Sequence, residues 1–154
     1  VFDIDRGIDY LESRGDARMD RIGVMGNSGG GTASLFAAAL LPRIAFAMPS
    51  CYFCTFRDSI MRIYHCADNY IPGVMKVCEM ADIMGLFAPK PVVIVAGETD
   101  EIFPLQGVHK AFKHLQKIYK AAGKPKNCRL VIGKGGHRFY AADAWPAMLE
   151  MCGE

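Results

Sequence analysis

Arg21-Ile22-Gly23-Val24-Met25-Gly26-Asn27-Ser28-Gly29-Gly30-Gly31 is the stretch that decides the fold. A short apolar run enters a Gly-x-Ser-x-Gly turn, and the residues behind it, 29–41, are almost wholly apolar. Gly26 and Gly30 lack the side chains that would collide where a strand turns sharply into a helix, and Gly29 and Gly31 leave the same approach open. Such a turn pushes the Ser28 hydroxyl outward and sets the Gly29 N–H beside it. A fixed amide at a helix start stabilises the oxyanion that forms when a hydroxyl attacks a carbonyl. The bare pattern also fits a packing turn or an anion-binding turn. A nucleotide P-loop is disfavoured because no Gly-Lys-Ser/Thr follows, and the dinucleotide fingerprint is not matched.

Working outward, the chain alternates between the two hydrophobic periods. Residues 4–11 read as the later part of a helix, with Ile4, Ile8 and Leu11 on one side. Residues 21–25 read as a buried strand, 29–41 as its helix and 44–48 as a second strand ending at Pro49-Ser50. Residues 91–96, with Val92-Val93-Ile94-Val95, form the clearest later strand. A helix over about 107–122 follows, ended by Gly123 and Pro125, then a strand over 128–132 and a last helix near 141–151. Strands interleaved with helices predict an α/β fold, a mostly parallel sheet flanked by helices.

The segment 51–86 is less regular. Ile60, Ile63 and Tyr64 suggest one helical turn, and Val74, Val77, Cys78 and Ala81 another around a bend at Pro72-Gly73. It is read as a helical crossover or a cap-like region within a single domain, 1–154. The abrupt start near Val1 and the lack of an introductory strand lead to the expectation that the N-terminal strands of the sheet are missing. An exposed sheet edge then calls for a partner, such as a homo-oligomer completing or covering the sheet.

Composition narrows the function classes. With 154 residues and 51% hydrophobic content the chain can build a sizeable core, and a net charge of +2 offers no argument for nucleic acid. Lys110, Lys113, Lys117 and Lys120 fall on one side of the 107–122 helix, opposite Val108, Ala111, Phe112, Leu115 and Ile118, and read as a solvated face. The apolar stretch 33–41 is too short to span a bilayer, so no membrane association is expected. Six cysteines in a chain with this much apolar content read as mostly reduced thiols, which points to a cytoplasmic location. Cys51-x-x-Cys54, with His65-Cys66 and Cys78 downstream, has metal or redox spacing, but no second close pair completes a zinc framework.

Asp100 stands just after the 91–96 strand and His137 just after the 128–132 strand. Parallel strands bring such loops to one sheet edge, and the order Ser, Asp, His is that of α/β-hydrolases. Glu98 and Glu101 are competing acids. His109 and His114 lie within a helix, and His65 lies in the irregular segment. If the three converge, His137 takes the Ser28 proton as Ser28 attacks an ester carbonyl, while Asp100 orients the imidazole. No metal or other cofactor is required. Asn27, Tyr52, Phe53 and Phe139 are candidate substrate contacts, with Phe56 and Trp145 as further aromatics, although such side chains are more often core.

The residues Arg21 to Gly31, Pro91-Val-Val-Ile-Val-Ala-Gly-Glu-Thr-Asp100 with Ile102-Phe-Pro104, and Gly136-His-Arg-Phe139 together resemble the α/β-hydrolase superfamily. The likeness is to acetyl-xylan-esterase-like carbohydrate esterases and prolyl-oligopeptidase-type catalytic domains. It spans nearly the whole chain and implies a triad of Ser28, Asp100 and His137, with Gly29 in the oxyanion hole. It also implies hydrolysis of a small acylated substrate such as an acetylated sugar. A serine peptidase is the catalytic alternative, and an oligomerisation or peptide-binding module the noncatalytic one. In that family an earlier strand carries a second oxyanion donor. The chain is expected to lack it, which costs about 3 kcal/mol, or a rate loss on the order of a hundredfold.

Overall fold

A computed structural model describes residues 1–153. Four strands, β1 (Gly23–Asn27), β2 (Phe46–Ser50), β3 (Val92–Gly97) and β4 (Cys128–Gly133), form one sheet in the order β1-β2-β3-β4. All three pairings are parallel, with Met25 beside Met48 and Val95 beside Val131. Five helices accompany them: α1 (Phe2–Arg14), α2 (Gly29–Leu40), α3 (Met80–Gly85), α4 (Leu105–Ala121) and α5 (Ala141–Cys152).

The period-2 rule divides the strands between two cores. Val92, Ile94 and Ala96 of β3 point into the larger cluster, where Leu35 and Ala38 of α2, Met84 of α3 and Leu115 of α4 meet them. Val93 and Val95 point the other way, onto Ala144 and Met148 of α5. With both faces covered, β3 is buried throughout, as its unbroken apolar run predicts. On α4 the buried stripe is Val108, Ala111, Phe112, Leu115 and Tyr119, and the four lysines lie on the exposed side.

Two readings need correction. The second strand, expected over 44–48 and ending at Pro49-Ser50, starts two residues later and includes both Pro49 and Ser50. Proline removes one ladder donor, but Ser28 N–H donates to the Ser50 carbonyl and Cys51 N–H to the Val95 carbonyl, both at 2.9 Å, carrying the ladder past it. The helical turn expected at 60–64 is only a run of non-helical turns, and the one expected over 74–81 is reduced to a short 3₁₀ turn before α3 takes up Ala81. Between Cys51 and Glu79 there are only turns and two short 3₁₀ segments, Ala67–Asn69 and Val74–Lys76, before α3 begins at Met80. Ile60 is buried, but Tyr64 is 93% exposed and Val77 84%, so the apparent helical periodicity does not mark a buried face. The segment is anchored instead by Phe56 N–H, which donates to Glu79 Oε2 at 2.9 Å, while Glu79 and Asp82 form a capping box at the start of α3.

Candidate active site

Ser28 sits between the end of β1 and the start of α2 with φ 57° and ψ −117°, a conformation that L residues rarely adopt. The turn is held by the Ser28 N–H bond to Ser50 and by Thr32 N–H, which donates to the Ser28 carbonyl at 2.9 Å. Gly26 is indispensable to it, since a Cβ there would lie 2.5 Å from the Gly30 carbonyl carbon and oxygen. A Cβ on Gly29 or Gly30 would meet nothing within 4 Å, so the side-chain crowding expected at Gly30 falls instead on Gly26 and on Gly31, whose Cβ would lie 2.5 Å from the Ser50 carbonyl oxygen. Gly29 N–H belongs to the first turn of α2, where amides have no intrahelical acceptor and remain available to a ligand.

Asp100, 4% exposed, follows β3. Its Oδ1 accepts from the amides of Ile102 (2.9 Å) and Phe103 (3.1 Å), and its Oδ2 faces His137 Nδ1 at 2.8 Å. Three donors therefore fix the carboxylate, and the carboxylate fixes the ring. The Phe103 ring stacks on the imidazole with centroids 5.9 Å apart and planes 19° apart. His137 Nε2, the nitrogen turned away from Asp100, is buried and has no hydrogen-bond partner among the described residues, so Ser28 Oγ is not bonded to it here. Hydrogen bonds of this kind commonly tighten only when substrate is bound.

Ser28 opens into a cavity of about 350 Å³ walled by Gly29, Thr32, Tyr52, His65 and Phe103 among others. Phe103 thus touches both halves of the site: one contact is the His137 ring and the other is the space in front of Ser28. All three predicted residues follow the C-terminal ends of parallel strands, where ligands of open α/β sheets bind.

Of the candidate substrate contacts only Tyr52 borders the cavity. Tyr52 is on the cavity wall, and burial raises its phenol above the usual range. Phe53 is packed in the larger core at 1% exposure rather than on that wall, which corrects its reading as a substrate contact. Phe139 packs against the α5 side of the sheet, also off the wall, and Asn27 spends its Oδ1 on the Ser50 hydroxyl at 2.8 Å. Phe56 lies in the larger core and Trp145 against the smaller one. Glu98, Glu101 and His109 are exposed, and His114 pairs with Asp82 at 2.6 Å.

Two neighbours of the site were not legible as such. Cys51, itself at positive φ (48°), places its thiol within 4.8 Å of ligand atoms of Asp100 and His137. Burial, reinforced by the Asp100 charge, pushes that thiol up to about 11, which disfavours the thiolate that a nucleophile or metal ligand requires. All six cysteines are free. His65, on the cavity wall, has its ring 5.7 Å from that of Phe103, and burial lowers its pKa. Only the irregular segment carries it, and nothing in that segment's periodicity marks it out.

A four-stranded parallel sheet with helices on both faces, a strained serine turn after its first strand and a buried Asp hydrogen-bonded to a His beyond later strands define an α/β-hydrolase fold. More narrowly, residues 1–149 match the prolyl oligopeptidase family, and the chain belongs to it. It is 31% identical over 142 residues to YtaP of Bacillus subtilis (strain 168), a protein named as a hydrolase, covering 89% of this chain and 47% of that one. Among solved structures it resembles a glucuronoyl esterase from Sporotrichum thermophile (22% identity, 99% of this chain, 50% of that one, TM-score 0.76). It also resembles a carbohydrate esterase family 15 glucuronoyl esterase from Teredinibacter turnerae (18% identity, 99% and 44%, TM-score 0.76). The chain spans about half the length of these relatives. Among the described residues, no helix is long and apolar enough to cross a membrane.

Proposed function

We propose that the chain carries the serine centre of a carboxylic ester hydrolase that works through an acyl-serine intermediate and removes acyl groups such as acetyl from carbohydrate. The observation that supports this most is that Phe103 both lines the cavity onto which the strained Ser28 opens and stacks on the His137 ring that is hydrogen-bonded to Asp100.

In that reading His137 Nε2, with no other partner, accepts the Ser28 proton as Oγ bonds to the ester carbonyl carbon. Asp100 keeps hydrogen on Nδ1 and favours the imidazolium that forms, without taking the proton itself. Gly29 N–H donates to the oxyanion. The tetrahedral intermediate collapses, the carbon–oxygen bond to the alcohol breaks, and His137 returns the proton to the leaving oxygen. Water then attacks the acyl-serine with His137 again as base, releasing the acid and restoring Ser28.

A peptidase is the second reading, favoured by the family to which the chain belongs. Turnover of acetylated sugars, glucuronoyl esters, small acyl esters and short peptide amides should be compared for the unaltered chain and Ser28→Ala. Ester turnover abolished by Ser28→Ala supports the proposal. Cleavage of peptides alone transfers the role to a peptidase, and turnover unchanged in Ser28→Ala contradicts both.

A further inference from the structure

His137 stands at the middle of a three-residue turn, closed by Arg138 N–H donating to the Gly136 carbonyl at 3.0 Å. The carbonyls on either side of the histidine are each held by a side chain from outside that turn. The Tyr140 hydroxyl donates to the Gly136 carbonyl at 2.8 Å, and the Cys51 thiol donates to the Arg138 carbonyl at 3.4 Å. The backbone that carries the imidazole is thus gripped at the residue before it and at the residue after it.

Both donors sit on fixed supports. Tyr140, 7% exposed, immediately precedes α5, and its ring packs so closely on Gly133 of β4 that a Cβ there would lie 2.0 Å from it. Cys51 immediately follows β2, and its N–H continues the ladder onto the Val95 carbonyl of β3 at 2.9 Å. Its φ of 48° belongs to a turn that glycine takes without strain and other residues do not. What glycine could not supply is the thiol, which reaches the Arg138 carbonyl and lies within 4.8 Å of ligand atoms of Asp100 and His137. Burial keeps that thiol protonated, as a donor requires.

The grip matters because the ring itself has few holds. Asp100 meets Nδ1 and Phe103 stacks on the ring, while Nε2 has no partner among the described residues. One hydrogen bond fixes one ring atom, and the direction of the opposite nitrogen is then set by the backbone behind the side chain. Displacing a reacting group by about 1 Å costs on the order of a hundredfold in rate.

We propose that Cys51 and Tyr140 are positioning residues for His137, which hold the Arg138 and Gly136 carbonyls so that Nε2 keeps the direction needed to take the Ser28 proton. The role rests on the ester-hydrolase reading of Ser28.

The test measures kcat and KM for 4-nitrophenyl acetate in Tyr140→Phe, which keeps the ring on Gly133, and in Cys51→Ala. In both, kcat should fall about tenfold or more with KM within about twofold of the unaltered chain. The downfield proton resonance of His137 Nδ1, shared with Asp100, should shift or broaden in both. A smaller loss in either variant, a loss that falls on KM instead, or an unmoved resonance overturns the proposal. Cys51→Ser, which keeps a donor, should restore part of the loss, and a serine variant no better than alanine overturns the part given to the thiol. If Cys51→Ala fails to fold, Cys51→Gly, which relieves the backbone strain, takes its place under the same criteria. Absence of phosphonate labelling at Ser28 in the unaltered chain would instead strike at the ester reading. The resonance then decides the positioning role by itself: movement in both variants supports it and an unmoved signal overturns it.

Discussion

Gly97, the last residue of β3, packs so closely on Gly136 that a Cβ at position 97 would lie 2.2 Å from the Gly136 carbonyl oxygen. Beside this contact the Glu98 and Thr99 amides donate to the carbonyls of Gly133 (3.0 Å) and Gly135 (2.9 Å), lacing the loop that carries Asp100 to the loop that carries His137. The backbone thereby sets the distance between acid and imidazole before either side chain is considered. Gly97→Ala must separate the two loops. It should cost about 1–3 kcal/mol in urea unfolding and lower ester turnover further than that destabilisation explains.

Asp100→Asn should leave the fold intact while removing catalysis. Asparagine can still accept from the Ile102 and Phe103 amides through its carbonyl oxygen, but its NH₂ would then face His137 Nδ1. That forces the ring hydrogen onto Nε2, where it blocks proton transfer from Ser28. The expected loss in kcat is about 10⁴-fold, the size known for this change in another serine hydrolase, with an unchanged circular dichroism spectrum. A loss below tenfold would mean that the pair has a structural role only.

Three buried thiols predict sensitivity to alkali. Burial pushes Cys51 up to about 11 and Cys54 and Cys128 up to about 12, against 9.0 for the free group. Each raised value contributes stability that is fully present below the unfolded pKa and lost as pH climbs through the folded one. Unfolding free energy in urea with reductant should hold up to about pH 8, then fall toward pH 10 by up to about 1.4 kcal/mol per thiol. The triple Cys→Ser or Cys→Ala background should flatten that slope, and an equal slope in that background would contradict the assignment.

What could be read from the chain itself follows its local signals. The strands at 92–97 and 128–133 and the helix at 105–121 announce themselves through runs and stripes, and Ser28, Asp100 and His137 stand where strand ends meet glycine-rich turns. The segment after Cys51 defeated the same approach because its order comes from distant partners. Phe56 hangs on Glu79, and the His65 ring packs against Phe103. Cys51 likewise reaches Asp100 and His137 only because β2 lies next to β3. Long-range hydrogen bonds and ring contacts leave no periodic trace, so the far wall of the cavity is visible only in three dimensions.

The most direct measurement is covalent: the chain is treated with a fluorophosphonate, digested, and the modified residue located by mass spectrometry, with Ser28→Ala and His137→Gln alongside. A nucleophilic Ser28 predicts a single adduct on that residue, absent from Ser28→Ala and formed at least a hundredfold more slowly in His137→Gln. A cooperatively folded chain that takes up no label, or carries it on another side chain, would contradict the account.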